Sequence, residues 1–133
     1  MTAALSGFAD FLIFFVVALA LVSLYLALYT LATAHNEFAL IRRNVISAAV
    51  ALGSSLIGFV LPLASAIVHA QSVVDCLAWG LVALVVQIMA YWLVRLLMPN
   101  LSERIAGGEM ASALFLGTAS LAAGIINAAA MTY

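Results

Sequence analysis

The segment HNEFALIRRN, residues 35–44, is the most polar in a chain of 133 residues, and it lies between two long apolar runs. His35, Asn36 and Glu37 are of types that can ligate a metal, which takes three or four ligands at fixed spacing. The only other imidazole, His69, stands at the far end of the next apolar run, on the order of 35 Å away along a helix. The two histidines of one chain therefore cannot share an ion. The plainer reading is a solvated turn. In it Asn36 caps a helix and Glu37 pairs with Arg42 or Arg43 at headgroup level, which contributes about 0.5 kcal/mol if exposed.

A second polar set sits inside an apolar run. Gln87, Tyr91 and Arg95 recur every four residues and share one helical face. A carboxamide at mid-membrane costs several kcal/mol unless it finds a partner. The stripe therefore faces either a polar path for an ion or small solute, or neighbouring helices, where such bonds are typically worth under about 1 kcal/mol each. Asn127, near the end of the last apolar run, is a further candidate bridge between helices.

Gly58 and Pro62 form a third candidate, a helix break. The proline ring displaces the carbonyl of Gly58 from its helical bond, with Ser54 and Ser55 one turn below. Free carbonyls of this kind coordinate cations in some transporters, but proline also serves plain packing in membrane helices. Small residues continue in stripes, Ser54-xxx-Gly58 and Ser120-xxx-Gly124-xxx-Ala128, with Gly117 nearby. Such stripes let helix backbones approach in lipid.

Nothing here resembles a catalytic set. His69 and Asp75 belong to one side of the chain's threading and Glu37, Glu103 and Glu109 to the other, so no Ser-His-Asp arrangement or paired acids can form. LGSSLIG lies within an apolar run and does not follow a strand, so it is not a phosphate loop. The expectation is a non-enzyme with no cofactor and no metal.

The elements that must position these residues follow from composition. The chain is 68% apolar and 7% charged, with a mean hydropathy of +1.32. Soluble domains carry charge on about 25% of their residues, so lipid is the solvent for most of this surface. Lysine is absent and there are four arginines, too few to track a nucleic-acid backbone. The single cysteine, Cys76, rules out an intrachain disulfide.

Four apolar runs stand out: 11–34, 45–68, about 76–98, and 110 to the C-terminus. Each meets the roughly 20 residues needed to cross a bilayer as a helix. The first has the small-x-small form ATA at 32–34, but it lacks a basic start and is too long for a cleaved leader, so it reads as a retained span. The separators read as turns: 35–44, Gln71 to Asp75, and 99–109, where Pro99 stops a helix and Gly107-Gly108 precede the next. Arg42, Arg43, Arg95 and Arg104 all fall on one side, which the positive-inside rule makes cytoplasmic, leaving both termini outside. Trp79, Trp92 and Tyr133 fit an interfacial belt.

A shift of 66 residues superposes Tyr25 on Tyr91, Glu37 on Glu103, Ser54 on Ser120 and Gly58 on Gly124 without a gap. Two spans per unit preserve orientation, so the repeat is parallel. The fold class expected is therefore all-α: an integral membrane four-helix bundle of two parallel-repeated transmembrane hairpins. It forms a single domain over 1–133, with repeat units at about 9–70 and 75–133.

HNEFALI resembles the first hairpin of the YjfL-type family of uncharacterised bacterial inner-membrane proteins. The resemblance continues through GFVLPLASA, AWGLVALVVQ, RLLMPNLSERI and LFLGTASLAAGIINAAAMT, nearly the whole chain. It implies a small multi-pass inner-membrane protein built of two two-helix units, with periplasmic termini on the orientation read above. It also implies an association with envelope-stress and polyamine-related genes, and it transfers no mapped site. The expected function is a self-assembling, homo-oligomeric membrane module. It would bind a cytoplasmic partner through His35, Asn36, Glu37, Arg42, Arg43, Glu103 and Arg104. The alternative is a small channel or transporter lined by Gln87, Tyr91 and Arg95.

Overall fold

A computed structural model describes residues 2–33 and 37–131. Among the described residues six helices follow one another: α1 (Thr2–Thr33), α2 (Glu37–Arg42), α3 (Ile46–His69), α4 (Val73–Leu97), α5 (Leu101–Ala106) and α6 (Met110–Ala130). The order is long, short, long, twice over. The four long helices are each long and apolar enough to cross a membrane. Backbone groups in lipid must bond within their own segment, and these helices meet that demand.

The connections differ from the turns the sequence suggested. Residues 37–42 and 101–106 each fold into a short helix. Each carries apolar residues that it buries, Leu40 in α2 and Leu101 with Ile105 in α5. Asn44 and Asn100 take left-handed backbone angles, φ 66° and 60°, which asparagine tolerates better than most residues. At the opposite end, Ser72 caps α4 by accepting from the Asp75 amide at 3.1 Å, and the Asp75 carboxylate accepts from the Gln71 amide at 3.2 Å. Helix α1 begins about nine residues before the apolar run that marks it in the sequence.

The centre of the bundle is the pair α3 and α6, which run parallel and pack backbone to backbone. Methyl groups added at Gly124 would fall on the Gly58 carbonyl, and one added at Gly117 would sit 2.7 Å from the Ser54 Cβ. Ala48, Ala51, Ala66 and Ala113 are fully buried beside them. Pro62 does not break α3, which is continuous from Ile46 to His69, so the predicted break is corrected to a buried proline inside an unbroken helix. The Gly58 carbonyl, which proline leaves without its helical donor, packs against Gly124. Helix α4 packs on α3 and α6, and α1 lies on α3 and α4.

Candidate functional site

Polar side chains from all four long helices converge between them. On α4, Gln87 is buried and its Nε2 donates to the Ser120 carbonyl of α6 at 3.1 Å. On α3, the Ser55 hydroxyl lies 3.3 Å from the Ser120 hydroxyl. Ser55 also sits beside the hydroxyls of Tyr25 and Tyr29 from α1. The Tyr25 ring stacks on Phe59 of α3, centroids 4.7 Å apart and planes 10° apart. The Tyr29 ring meets Tyr91 of α4 edge-on at 5.5 Å. All seven of these side chains are buried.

Helical spacing explains the convergence. Tyr25 and Tyr29 are one turn apart on α1, and Gln87 and Tyr91 are one turn apart on α4. Each pair therefore presents a single face, and the two faces meet. Tyrosine suits this position because its ring packs as an apolar body while its tip reaches a polar neighbour.

The three residues of the α4 stripe bond to three different elements. Gln87 reaches α6, Tyr91 reaches Ser102 of α5 at 3.0 Å between hydroxyls, and Arg95 donates to the Ala32 carbonyl of α1 at 3.0 Å. The Arg95 guanidinium also lies over the Trp92 ring, 4.8 Å from its centroid. The Ala32 carbonyl lies in the last described turn of α1. Arg95 satisfies it and complements the helix dipole there.

Some buried polar atoms keep no bond among the described residues. The Tyr29 hydroxyl, Gln87 Oε1 and Asn127 Nδ2 are buried and lack a hydrogen-bond partner among the described residues. Asn127 lies near the C-terminal end of α6, about two turns beyond Ser120, to which Gln87 bonds.

The end that carries the arginines is built from α2 and α5. Ser47 at the start of α3 donates to the Ile105 carbonyl of α5 at 2.6 Å, tying the two short-helix regions together. Arg42, Arg43, Glu103 and Arg104 are exposed there. Arg104 pairs with Glu109 at 3.8 Å, both half-exposed, so the pair contributes under about 1 kcal/mol. A groove of about 350 Å³ opens between the starts of α3 and α6, lined by Asn44, Ser47, Gly107 and Gly108. Glu37 departs from expectation. It is 3% exposed and lies close enough to Tyr29 to bear on it electrostatically, so the reading of it as a water-facing headgroup residue is corrected. His35 and Asn36 lie outside the described residues, as does Tyr133.

Tyr29 is the central residue that the sequence reading did not name; Tyr25 entered it only through the 66-residue shift and Ser55 only beside the Gly58–Pro62 pair. The signal was present in the i, i+4 tyrosine pair, whose hydroxyls need partners in lipid.

Comparison with known proteins gives the family of the chain. The family described as Domain of Unknown Function (DUF350) matches residues 3–131. The UPF0719 inner membrane protein YjfL of Escherichia coli (strain K12) is 43% identical over 129 residues, covering 97% of this chain and 98% of its own. The protein of the same name from Escherichia coli O157:H7 matches to the same extent. No solved structure matches.

Proposed function

For a chain that belongs to the DUF350 family, and whose relatives are inner-membrane proteins, we propose a non-enzymatic, self-assembling membrane module that binds a cytoplasmic protein of an envelope-stress system at its arginine-bearing end. In this reading both termini are periplasmic, and the chain is two copies of one unit, α1–α3 and α4–α6. The Gly58–Gly124 contact pairs positions 66 residues apart and sits where the two units would meet. The pseudo-axis would then run along the membrane normal.

One observation carries the reading. Gln87, Tyr91 and Arg95 each hold a different neighbouring element. The polar stripe that would have lined a passage is used to tie helices together. The charge left exposed, on Arg42, Arg43, Glu103 and Arg104, gathers at the α2 and α5 end, where a partner with acidic groups would meet it. Glu37, being buried, positions this end and does not contact the partner. The test is affinity capture from membranes with the full-length protein. Arg42→Ala/Arg43→Ala should lose the partner while keeping the fold, and retention of the partner would remove the proposed contact.

A second reading, a channel or transporter, draws on the unpaired Tyr29 hydroxyl and Gln87 Oε1 at the centre of the bundle. Proteoliposomes separate the two. Flux of protons, potassium or polyamines that disappears in Gln87→Leu would replace the module with a conduit; silent vesicles support the module.

A further inference from the structure

The chain has five carboxyl side chains, and four of them keep their water. Asp10, Glu103 and Glu109 are exposed, and Asp75 is partly exposed. Glu37 is the exception, buried at the start of α2. Glu103 stands 66 residues later, in the other short helix, and is left in solvent. Residue type is the same at the two places, so packing makes the difference.

The surroundings of Glu37 are hydroxyl-bearing and apolar. Tyr29 of α1 stands near enough to feel its charge, and Tyr25, Ser55 of α3 and Tyr91 of α4 lie around the same tyrosine. The Tyr29 hydroxyl is buried and has no hydrogen-bond partner among the described residues. Helix α3, which packs on α2, carries no titratable group before His69 at its far end. Arg42 and Arg43 are exposed, Arg95 holds the Ala32 carbonyl, and Arg104 pairs with Glu109. A carboxylate loses its hydration in such a place, and the neutral acid loses far less. The neutral acid also gains an O–H to donate, and a tyrosine oxygen can accept it.

We infer that Glu37 is a proton-binding site: its carboxyl holds a proton in the folded protein, and loss of that proton to water releases α2 from the bundle. The step is an acid dissociation. The O–H bond of the carboxyl breaks, the proton goes to water at the arginine-bearing end, and the carboxylate follows it into solvent. Helix α2 has six residues and buries two of them, Glu37 and Leu40, so little else holds it. Arg42 closes the same helix and Arg43 follows it, so the proton sets where these two charges stand. The inference needs no partner at that end and stands apart from the partner reading above.

An exposed glutamate gives up its proton near about pH 4.3. Below that pH Glu37 is neutral whether packed or released, and α2 is fully held. As pH rises the released state ionises first, so the hold weakens until the packed carboxyl has lost its proton too.

Infrared spectroscopy of the full chain in lipid nanodiscs reads the proton itself. At neutral pH the carbonyl stretch of a protonated carboxyl should appear in the wild type and in Glu103→Gln and vanish in Glu37→Gln. No such band in the wild type, or an equal band in Glu37→Gln, would overturn the site. A nitroxide on Phe38→Cys in a Cys76→Ala background reads α2, since Phe38 is 44% exposed. Its mobility should rise with pH, and the response should persist in His35→Gln and disappear in Glu37→Gln, which keeps the neutral shape. A label that ignores pH, or one that still follows pH in Glu37→Gln, would overturn the release of α2. A response lost in His35→Gln would assign the proton to that imidazole and overturn the inference.

Discussion

The α3–α6 seam and the outer half of α1 are both helical and both built for the bilayer, yet one is packed to backbone contact and the other touches almost nothing of its own chain. In the most apolar window of α3, 50% of residues are buried; in that of α1, 11% are. Mean hydropathy runs the opposite way, 2.9 for α1 and 2.0 for α3. In water the more apolar helix would be the more deeply buried one. In lipid an apolar side chain gains little by exchanging acyl chains for protein, so hydrophobicity does not choose the packed face. Small residues choose it. The centre holds Gly58, Gly117, Gly124 and fully buried alanines, while Phe8, Phe11 and Phe15 stack along the outside of α1.

That contrast breaks first at Gly124. A methyl group there would overlap the Gly58 carbonyl, carbon and Cα, all backbone, so neither helix can yield by turning a side chain. Gly124→Ala should destabilise the bundle by about 3 kcal/mol or more, at or above the usual range for overpacking. Gly53 is the control on the same pair of helices. It has nothing within 4 Å of an added methyl, and Gly53→Ala should be neutral or slightly stabilising through helix propensity. Unfolding in mixed detergent micelles reads both. Equal effects at the two positions would mean that the seam does not close at Gly124.

Much of this was legible in the sequence because lipid imposes a few strong rules. The four spans follow from run length, and the gathering of Arg42, Arg43, Arg95 and Arg104 at one end follows from where they stand between runs. The inward turn of Gln87 and Tyr91 follows from four-residue spacing, since a carboxamide cannot face acyl chains cheaply. What escaped has an equally physical reason. EFALIR and LSERIA are six residues each, too short for a periodicity to register, so their polarity suggested turns. The burial of Glu37, near enough to Tyr29 of α1 to bear on it electrostatically, is a tertiary outcome that no local pattern encodes. The Ser72–Asp75 cap was visible as S-x-x-D and went unread beside the apolar run. That α3 stays helical through Pro62, with Gly124 packed against the carbonyl that proline leaves without its helical donor, follows from a tertiary contact that local sequence does not encode.

Between the two extremes lies the boundary where α1 is held to the bundle, and Arg95 is its strongest polar tie. Removing it takes the guanidinium bond from the Ala32 carbonyl and the cation from the Trp92 face. Arg95→Ala should cost about 1–2 kcal/mol, discounted for the half-exposed site. Arg95→Lys keeps the charge on the arginine-bearing side, so it should preserve the threading and recover only part of the loss. Full recovery by lysine would show that the charge matters there and the geometry does not. Tyr91→Phe, which removes only the bond to Ser102, should fall below Arg95→Ala at about 0.6 kcal/mol.

The smallest effect belongs to the back of α1. Val16 is 60% exposed and points away from the stripe that meets the bundle, toward acyl chains in the folded protein. Its methyl groups leave lipid for lipid when the bundle comes apart, so Val16→Ala removes no contact that folding creates. The change in unfolding free energy should stay within about 0.5 kcal/mol. Leu21, five residues further along and buried against Gly80, is the internal contrast. Leu21→Ala opens a cavity among protein atoms that lipid cannot enter, and it should cost about 2 kcal/mol or more. If the two truncations cost the same in the same micelles, the back of α1 is packed and the exposure gradient along this helix is not what sets its stability.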